Sequence, residues 1–265
     1  DWSAVFNARK RNANVVIESN LQGLAVDLPA PVVKTAAESM PLRIERRQLA
    51  ANQDRLSLSL GEIVSMNLVR RTEGGQSVIA RGTVRFGGAA AEPDRNGVWV
   101  SGSIKVLDAN RWYALFEQGG DDTRFEWGGV DLKLGALDFF QRRYSELGVS
   151  ATVQGGQWRV ALSGKELEGN VTWLPQGRGK VVARMKTLTI PAASPAVVQA
   201  LADGVQVLQR DLELPALDIT AEQFTNTDKQ LGRLELNAAS EGREWRIEKL
   251  RIVNPESTFT LDGVW

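Results

Sequence analysis

Few side chains in this sequence are grouped as chemistry requires. Glu166 and Glu168 stand two apart beside Lys165. In a strand that spacing puts both carboxylates on one face, where a pair can divide acid and base roles. Leu167 between them points to the other side, so the group reads as the wet face of a strand. Asp121-Asp122 is the remaining acidic pair. Arg9-Lys10-Arg11, Arg46-Arg47, Arg70-Arg71 and Arg142-Arg143 could contact phosphates. Consecutive strand residues face opposite ways, so such pairs mark solvated strand ends and turns that discourage edge pairing. Gly74-Gly75 and Gly155-Gly156 could offer backbone N–H groups to an anion, yet no dinucleotide-binding or Walker pattern surrounds them. A hairpin turn is their simpler use. Asn170-Val171-Thr172 matches a glycosylation acceptor but falls inside a predicted strand.

What is missing narrows the chemistry further. The 265 residues include no histidine and no cysteine. That excludes Ser-His-Asp and Cys-His nucleophilic sites, His- or Cys-based metal sites and disulfides. Neither a cofactor nor a metal is expected, and the chain reads as a non-enzyme. Lysine plus arginine equals aspartate plus glutamate at 32 each, so nothing in the net charge favours nucleic acid. No run approaches the roughly 20 apolar residues of a membrane span. The chain opens on Asp1 rather than Met, from which a section of a longer protein is expected.

Period-two alternation dominates, as in strands with one apolar and one polar face. Leu56, Leu58 and Leu60 alternate with Ser57 and Ser59; Val84 and Phe86 with Thr83 and Arg85; Val149, Ala151 and Val153 with Ser150, Thr152 and Gln154; Leu234 and Leu236 with Glu235 and Asn237. Glu73-Gly74-Gly75-Gln76, Gln154-Gly155-Gly156-Gln157 and Glu241-Gly242-Arg243 separate alternating runs as hairpin turns. Two amphipathic helices are predicted, one near 108–118 with Asp108 as cap and Trp112, Leu115 and Phe116 on one stripe, the other near 195–208 behind Ser194-Pro195. Irregular connections are expected at Leu28 to Pro41, Gly87 to Asn96 and Gln118 to Thr123. Leu132 to Trp173 and Leu217 to Trp265 also look like two copies of one pattern, with Trp158 and Trp245 in matching places. The eight tryptophans, Trp2, Trp99, Trp112, Trp127, Trp158, Trp173, Trp245 and Trp265, read as space-filling edges of the core whose N–H groups reach backbone or water.

Three blocks carry a family likeness. Gly23-Leu24, Asp27-Leu28-Pro29-Ala30-Pro31, Lys34 and Pro41-Leu42 form the first; Gly97-Val98-Trp99-Val100-Ser101-Gly102, Leu107-Asp108 and Arg111-Trp112 the second; Leu214-Pro215-Ala216-Leu217-Asp218, Phe224, Leu231-Gly232 and Trp245 the third. In this order they resemble the YhdP branch of the AsmA-like envelope proteins. The resemblance implies a mainly β fold, an extended and twisted antiparallel sheet curled into a groove of taco-like repeats, carried by an inner-membrane-anchored protein of Gram-negative bacteria. On that reading a first groove section runs over 1–128 and a second over 129–265 containing the internal repeat, and because no irregular segment has the length or Pro/Ser/Gly bias of a linker, the two are expected to form one continuous body. The resemblance also implies phospholipid movement through the periplasm toward the outer membrane, with this stretch a soluble section of the anchored parent and no catalytic residue to carry over. No residue pattern names a protein partner in the envelope.

On that reading the apolar positions of the alternating strands are the lipid-path candidates: Leu56, Leu58, Leu60, Val84, Phe86, Leu132, Leu134, Val149, Val153, Val160, Leu162, Val171, Leu217, Ile219, Leu234, Leu236, Ile247 and Leu261. Aspartate at Leu134, Val160 or Leu236 is expected to block lipid with modest unfolding. Alternation alone fits equally a closed β-sandwich or barrel with a dry core, acting as a non-enzymatic scaffold or protein-interaction module.

Overall fold

The computed structural model describes residues 2–9, 12–118, 124–193, 215–241 and 244–264. It divides into two units, Asp1–Gly135 and Ala136–Trp265. Both are mainly β.

In the first unit β1 (Trp2–Arg9), β2 (Asn12–Ser19), β3 (Leu42–Ala50), β4 (Gln53–Leu60), β5 (Val64–Glu73) and β6 (Gln76–Phe86) pair in chain order, each antiparallel to the next. Gly74 and Gly75, at φ 59° and 84°, make the β5–β6 turn, the doubly left-handed geometry that matches strand twist and suits glycine. The order then changes direction. β7 (Gly97–Asp108) runs parallel to the second half of β6, after a connection over residues 87–96. Asp108 accepts a hydrogen bond from the Arg111 backbone N–H at 3.0 Å and so caps α1 (Ala109–Gln118), as its place in the sequence predicts. β8 (Arg124–Phe125) continues the β7 line along the first half of β6. β9 (Trp127–Phe139) pairs with β7 and carries the chain into the second unit.

The loop between β2 and β3 is built around one buried lysine. Lys34 is 2 % exposed, and its Nζ donates to the carbonyls of Leu24 at 2.7 Å and Thr35 at 2.8 Å. Helix α1 holds the same loop from the other side, with Trp112 Nε1 donating to the Ala30 carbonyl at 2.8 Å. The first family-like block is thus a folded loop tied to the second.

In the second unit β10 (Arg142–Gln154), β11 (Gln157–Ser163), β12 (Leu167–Leu174) and β13 (Lys180–Ile190) form an antiparallel ladder. β14 (Ala216–Asn226) then lies parallel to β13, and β15 (Lys229–Glu241), β16 (Glu244–Val253) and β17 (Thr258–Val264) return to antiparallel order. Each unit therefore contains a parallel step that alternation cannot reveal, because both pairing modes have period two. The two tryptophans of the repeat each occupy the second position of the middle strand in a three-strand meander, Trp158 in β10–β12 and Trp245 in β15–β17. The helix expected near 195–208, the Gly242-Arg243 turn, Asp121-Asp122 and Trp265 lie outside the described residues.

Candidate ligand-binding face

Residues directly opposite one another on paired strands point to the same side of the sheet, so the registers assemble each face. In the first unit Leu42, Leu60, Val64 and Phe86 form one row, Ile17, Ile44, Leu58, Met66, Val84 and Val100 the next, and Val15, Arg46, Leu56, Leu68, Gly82 and Val98 a third, apolar but for Arg46. The five candidates from β4 and β6 share this side. Leu60, Leu68 and Val98 are buried; Leu56, Leu58, Met66, Val84 and Val100 are only half-buried. Gly82 sits where a side chain could not: a Cβ there would meet Leu68 Cδ2 at 2.7 Å.

The opposite side carries Glu45, Ser57, Asn67, Thr83 and Trp99 in one row. Here the 87–96 connection lies down. Ser65 Oγ donates to the Gly88 carbonyl at 2.6 Å and Asn67 Nδ2 to that of Ala90 at 3.0 Å, Thr83 Oγ1 donates to Ala91, and Arg55 pairs with Glu92 at 2.6 Å. Trp99 donates Nε1 to the Asn96 carbonyl at 3.0 Å beneath the Arg95 guanidinium. The irregular segment thus covers the polar side and leaves the apolar side half-exposed.

The second unit repeats the division. Val149, Ala151 and Val153 stand opposite Leu162, Val160 and Trp158; these continue through Gly169, Val171 and Trp173 to Met185, Ala183 and Val181. Ala221, Ile219 and Leu217 follow on β14, then Leu234, Leu236 and Ala238 on β15, and Ile252, Leu250 and Ile247 on β16. Phe259, Leu261 and Gly263 complete the face on β17. All eleven sequence candidates from β10 to β17 therefore point to one side. Its centre is packed: Ala183, Met185, Ala221, Phe224 and Leu234 are buried against Leu162, Val171, Ile219, Leu250 and Ile252. Away from the centre Val149, Val153, Val160, Leu217, Leu236 and Ile247 are half-buried, and Leu261 is 40 % exposed.

Leu132 and Leu134 on β9 stand apart. Both are buried, at 8 % and 4 % exposure, so aspartate at Leu134 would disrupt packing rather than only obstruct a ligand. Reading the sequence also missed half of the second face. Register breaks at Glu168/Gly169, Ala221/Phe224 and Ile247/Leu250 turn Leu188, Phe224, Leu250 and Ile252 inward, against the parity of the residues before them. Gly169, at φ 148°, is the local signal, since a Cβ there would lie 2.5 Å from the Arg184 carbonyl oxygen.

Charges of the second unit lie on its other side. Arg184 binds Asp218 at 2.7 Å and Lys249 binds Glu235 at 2.6 Å, and these bonds hold both carboxyls below their ordinary range. Glu166 accepts from the Ser145 N–H at 2.9 Å and Glu168 pairs with Lys186 at 3.0 Å, so the tempting carboxylates serve separate structural bonds. Among the described residues no cluster of three or more histidine, cysteine, aspartate or glutamate side chains is placed to hold a metal, and no helix is long and apolar enough to cross a membrane.

An ion cluster does reach the apolar side in the first unit, beyond Leu56. Asp54 there lies opposite Arg70 and beside Arg46. Arg70 donates Nε at 2.9 Å and Nη2 at 2.8 Å to the two carboxylate oxygens, and Arg46 donates Nε at 2.6 Å. Burial pushes the Asp54 carboxyl up, but the two guanidinium groups outweigh it and hold the group below its usual value.

Comparison with curated proteins and with solved structures gives no match. A family model does match, and over every residue from 1 to 265: the chain belongs to the YhdP protein family.

Proposed function

We propose that this chain is a section of a periplasmic lipid-transfer bridge, whose apolar faces shield phospholipid acyl chains in passage between inner and outer membranes. The observation that carries the reading is the pair of one-sided apolar faces, aliphatic across six strands in the first unit and eight in the second, with many side chains left half-exposed. A dry sandwich core would bury such residues fully. Family membership supports an envelope setting.

The physical logic is one of shielding rather than catalysis. Each methylene of an acyl chain costs about 0.8 kcal/mol in water, so a whole chain resists transfer by roughly 10 kcal/mol. Aliphatic rows recover most of that cost without a specific pocket, and weak contacts spread along the face let a lipid move on. The parent protein is anchored in the inner membrane and this section acts without cofactor or chemistry of its own. Native mass spectrometry with lipid extraction tests the proposal: the purified chain is expected to carry heterogeneous phospholipid. Recovery free of lipid and unable to take up detergent would refute it.

A further inference from the structure

Beside the half-exposed leucines of β4, on the same side of the sheet, lies the cluster of Arg46, Asp54 and Arg70. Two cations share one anion, leaving a formal excess of one positive charge. Arg46 spends only Nε on Asp54; among the described residues its two Nη groups have no protein partner, and its side chain is 54 % exposed. A recess of about 50 Å³ opens at this point, lined by Gln48, Asn52 and Gln53 as well as the three charged residues. Arg47 and Arg55, opposite each other, point to the other side of the sheet, where Arg55 pairs with Glu92, so the excess charge on the apolar side is that of Arg46, Asp54 and Arg70 alone.

Length fits as well as charge. From Asp54 to Leu60 the strand advances six residues, about 20 Å at the usual rise per residue. One leaflet of a bilayer is about 15 Å of hydrocarbon. An amphiphile with its tail over Leu56, Leu58 and Leu60 would set its charged end at the recess, and only an anionic end suits guanidinium donors.

We infer that Arg46 and Arg70 bind the phosphate diester of a glycerophospholipid whose tail lies on the β4–β6 rows, with Asp54 acting as a built-in competitor that keeps the phosphate from being trapped. The inference rests on the lipid-carrying reading above and adds a headgroup site to it. Guanidinium groups form bidentate, charge-assisted bonds to phosphate, and Asp54 already occupies part of that donor set. A bound lipid exchanges one anion for another, so its residence is short.

Binding of soluble dihexanoylphosphatidylglycerol, dodecyl maltoside and inorganic phosphate to the full chain, followed by calorimetry, separates the possibilities. Arg46→Ala is expected to weaken the phospholipid about tenfold, the scale of a lost charged hydrogen bond, and to leave the maltoside unchanged. Asp54→Asn is expected to tighten the phospholipid several-fold. Equal phospholipid affinity in wild type and Arg46→Ala would overturn the site, as would inorganic phosphate binding as tightly as the lipid. Failure of both amphiphiles to bind wild type would instead overturn the lipid-carrying reading, and the site with it.

Discussion

Leu234 and Leu236 on β15 point to the same side, yet one is 5 % exposed inside the packed cluster and the other half-buried between Ile219 and Leu250. Aspartate at the two positions should therefore do different things. At Leu234 it removes a buried side chain worth about 2–5 kcal/mol and buries a charge at several kcal/mol more, enough to consume a typical stability margin. At Leu236 the carboxylate keeps part of its water, and the cost is the lost half of a leucine's burial, about 1 kcal/mol, with about as much again for partial desolvation, leaving a folded protein. Ligand binding should suffer nonetheless. A charge over the tail path removes contact with about three methylenes at about 0.8 kcal/mol each, roughly a sixtyfold loss of dodecyl maltoside affinity. Thermal unfolding and calorimetric titration of the two variants check this. Equal unfolding at both sites would mean the face is a dry core; a stable Leu236→Asp that binds detergent normally would mean no tail passes there.

Acid stability follows from the paired carboxyls. Asp54, Asp138, Asp218 and Glu235 are all held below their ordinary values by arginine or lysine partners. Their contribution is complete above the unfolded carboxylate range, near pH 4, and is lost as pH falls through the lower folded values. With no histidine in the chain, melting temperature should stay flat from about pH 8 to 5 and then drop; a decline already above pH 6 would contradict this. Thr227 holds φ 60° in the β14–β15 turn, a costly conformation for a β-branched residue. Thr227→Asn should raise stability by about 1 kcal/mol in denaturant titration. A Cβ on Gly128 would sit 2.3 Å from Trp99 Nε1, so Gly128→Ala should cost about 1–3 kcal/mol and shift tryptophan fluorescence. Lys34→Met would leave the Leu24 and Thr35 carbonyls without their charged donor and should destabilise by about 3 kcal/mol, read by thermal unfolding.

What the sequence exposed was parity. Wherever a strand runs without a register break, as in β4 or in β11, alternation identified the correct shared side, because that pattern is the geometry itself. The breaks hid the rest. Leu250 and Ile252 follow Ile247 with the wrong parity, and only the strand opposite reveals the bulge between them. Parallel steps were invisible for a related reason: β6 and β13 look like antiparallel strands until their partners are known. Lys34 looked like an ordinary lysine within a family block, since nothing local shows that a loop will close over it. The Arg46-Arg47 pair falls in the middle of β3 rather than at a strand end, and Arg70-Arg71 lies inside the turn-ward half of β5; what Arg46 and Arg70 bind is Asp54, eight residues from Arg46 and sixteen from Arg70, which no local pattern shows.

The central claim is that lipid tails travel on one side of these sheets. A photo-crosslinking residue placed in turn at Val160 and Val171, opposite partners on the apolar side, and at Arg159 and Thr172, their neighbours on the other, tests it within the parent protein in cells. The account predicts phospholipid adducts at Val160 and Val171 and none at Arg159 or Thr172. Adducts of equal yield on both sides, or none at either valine, would contradict it.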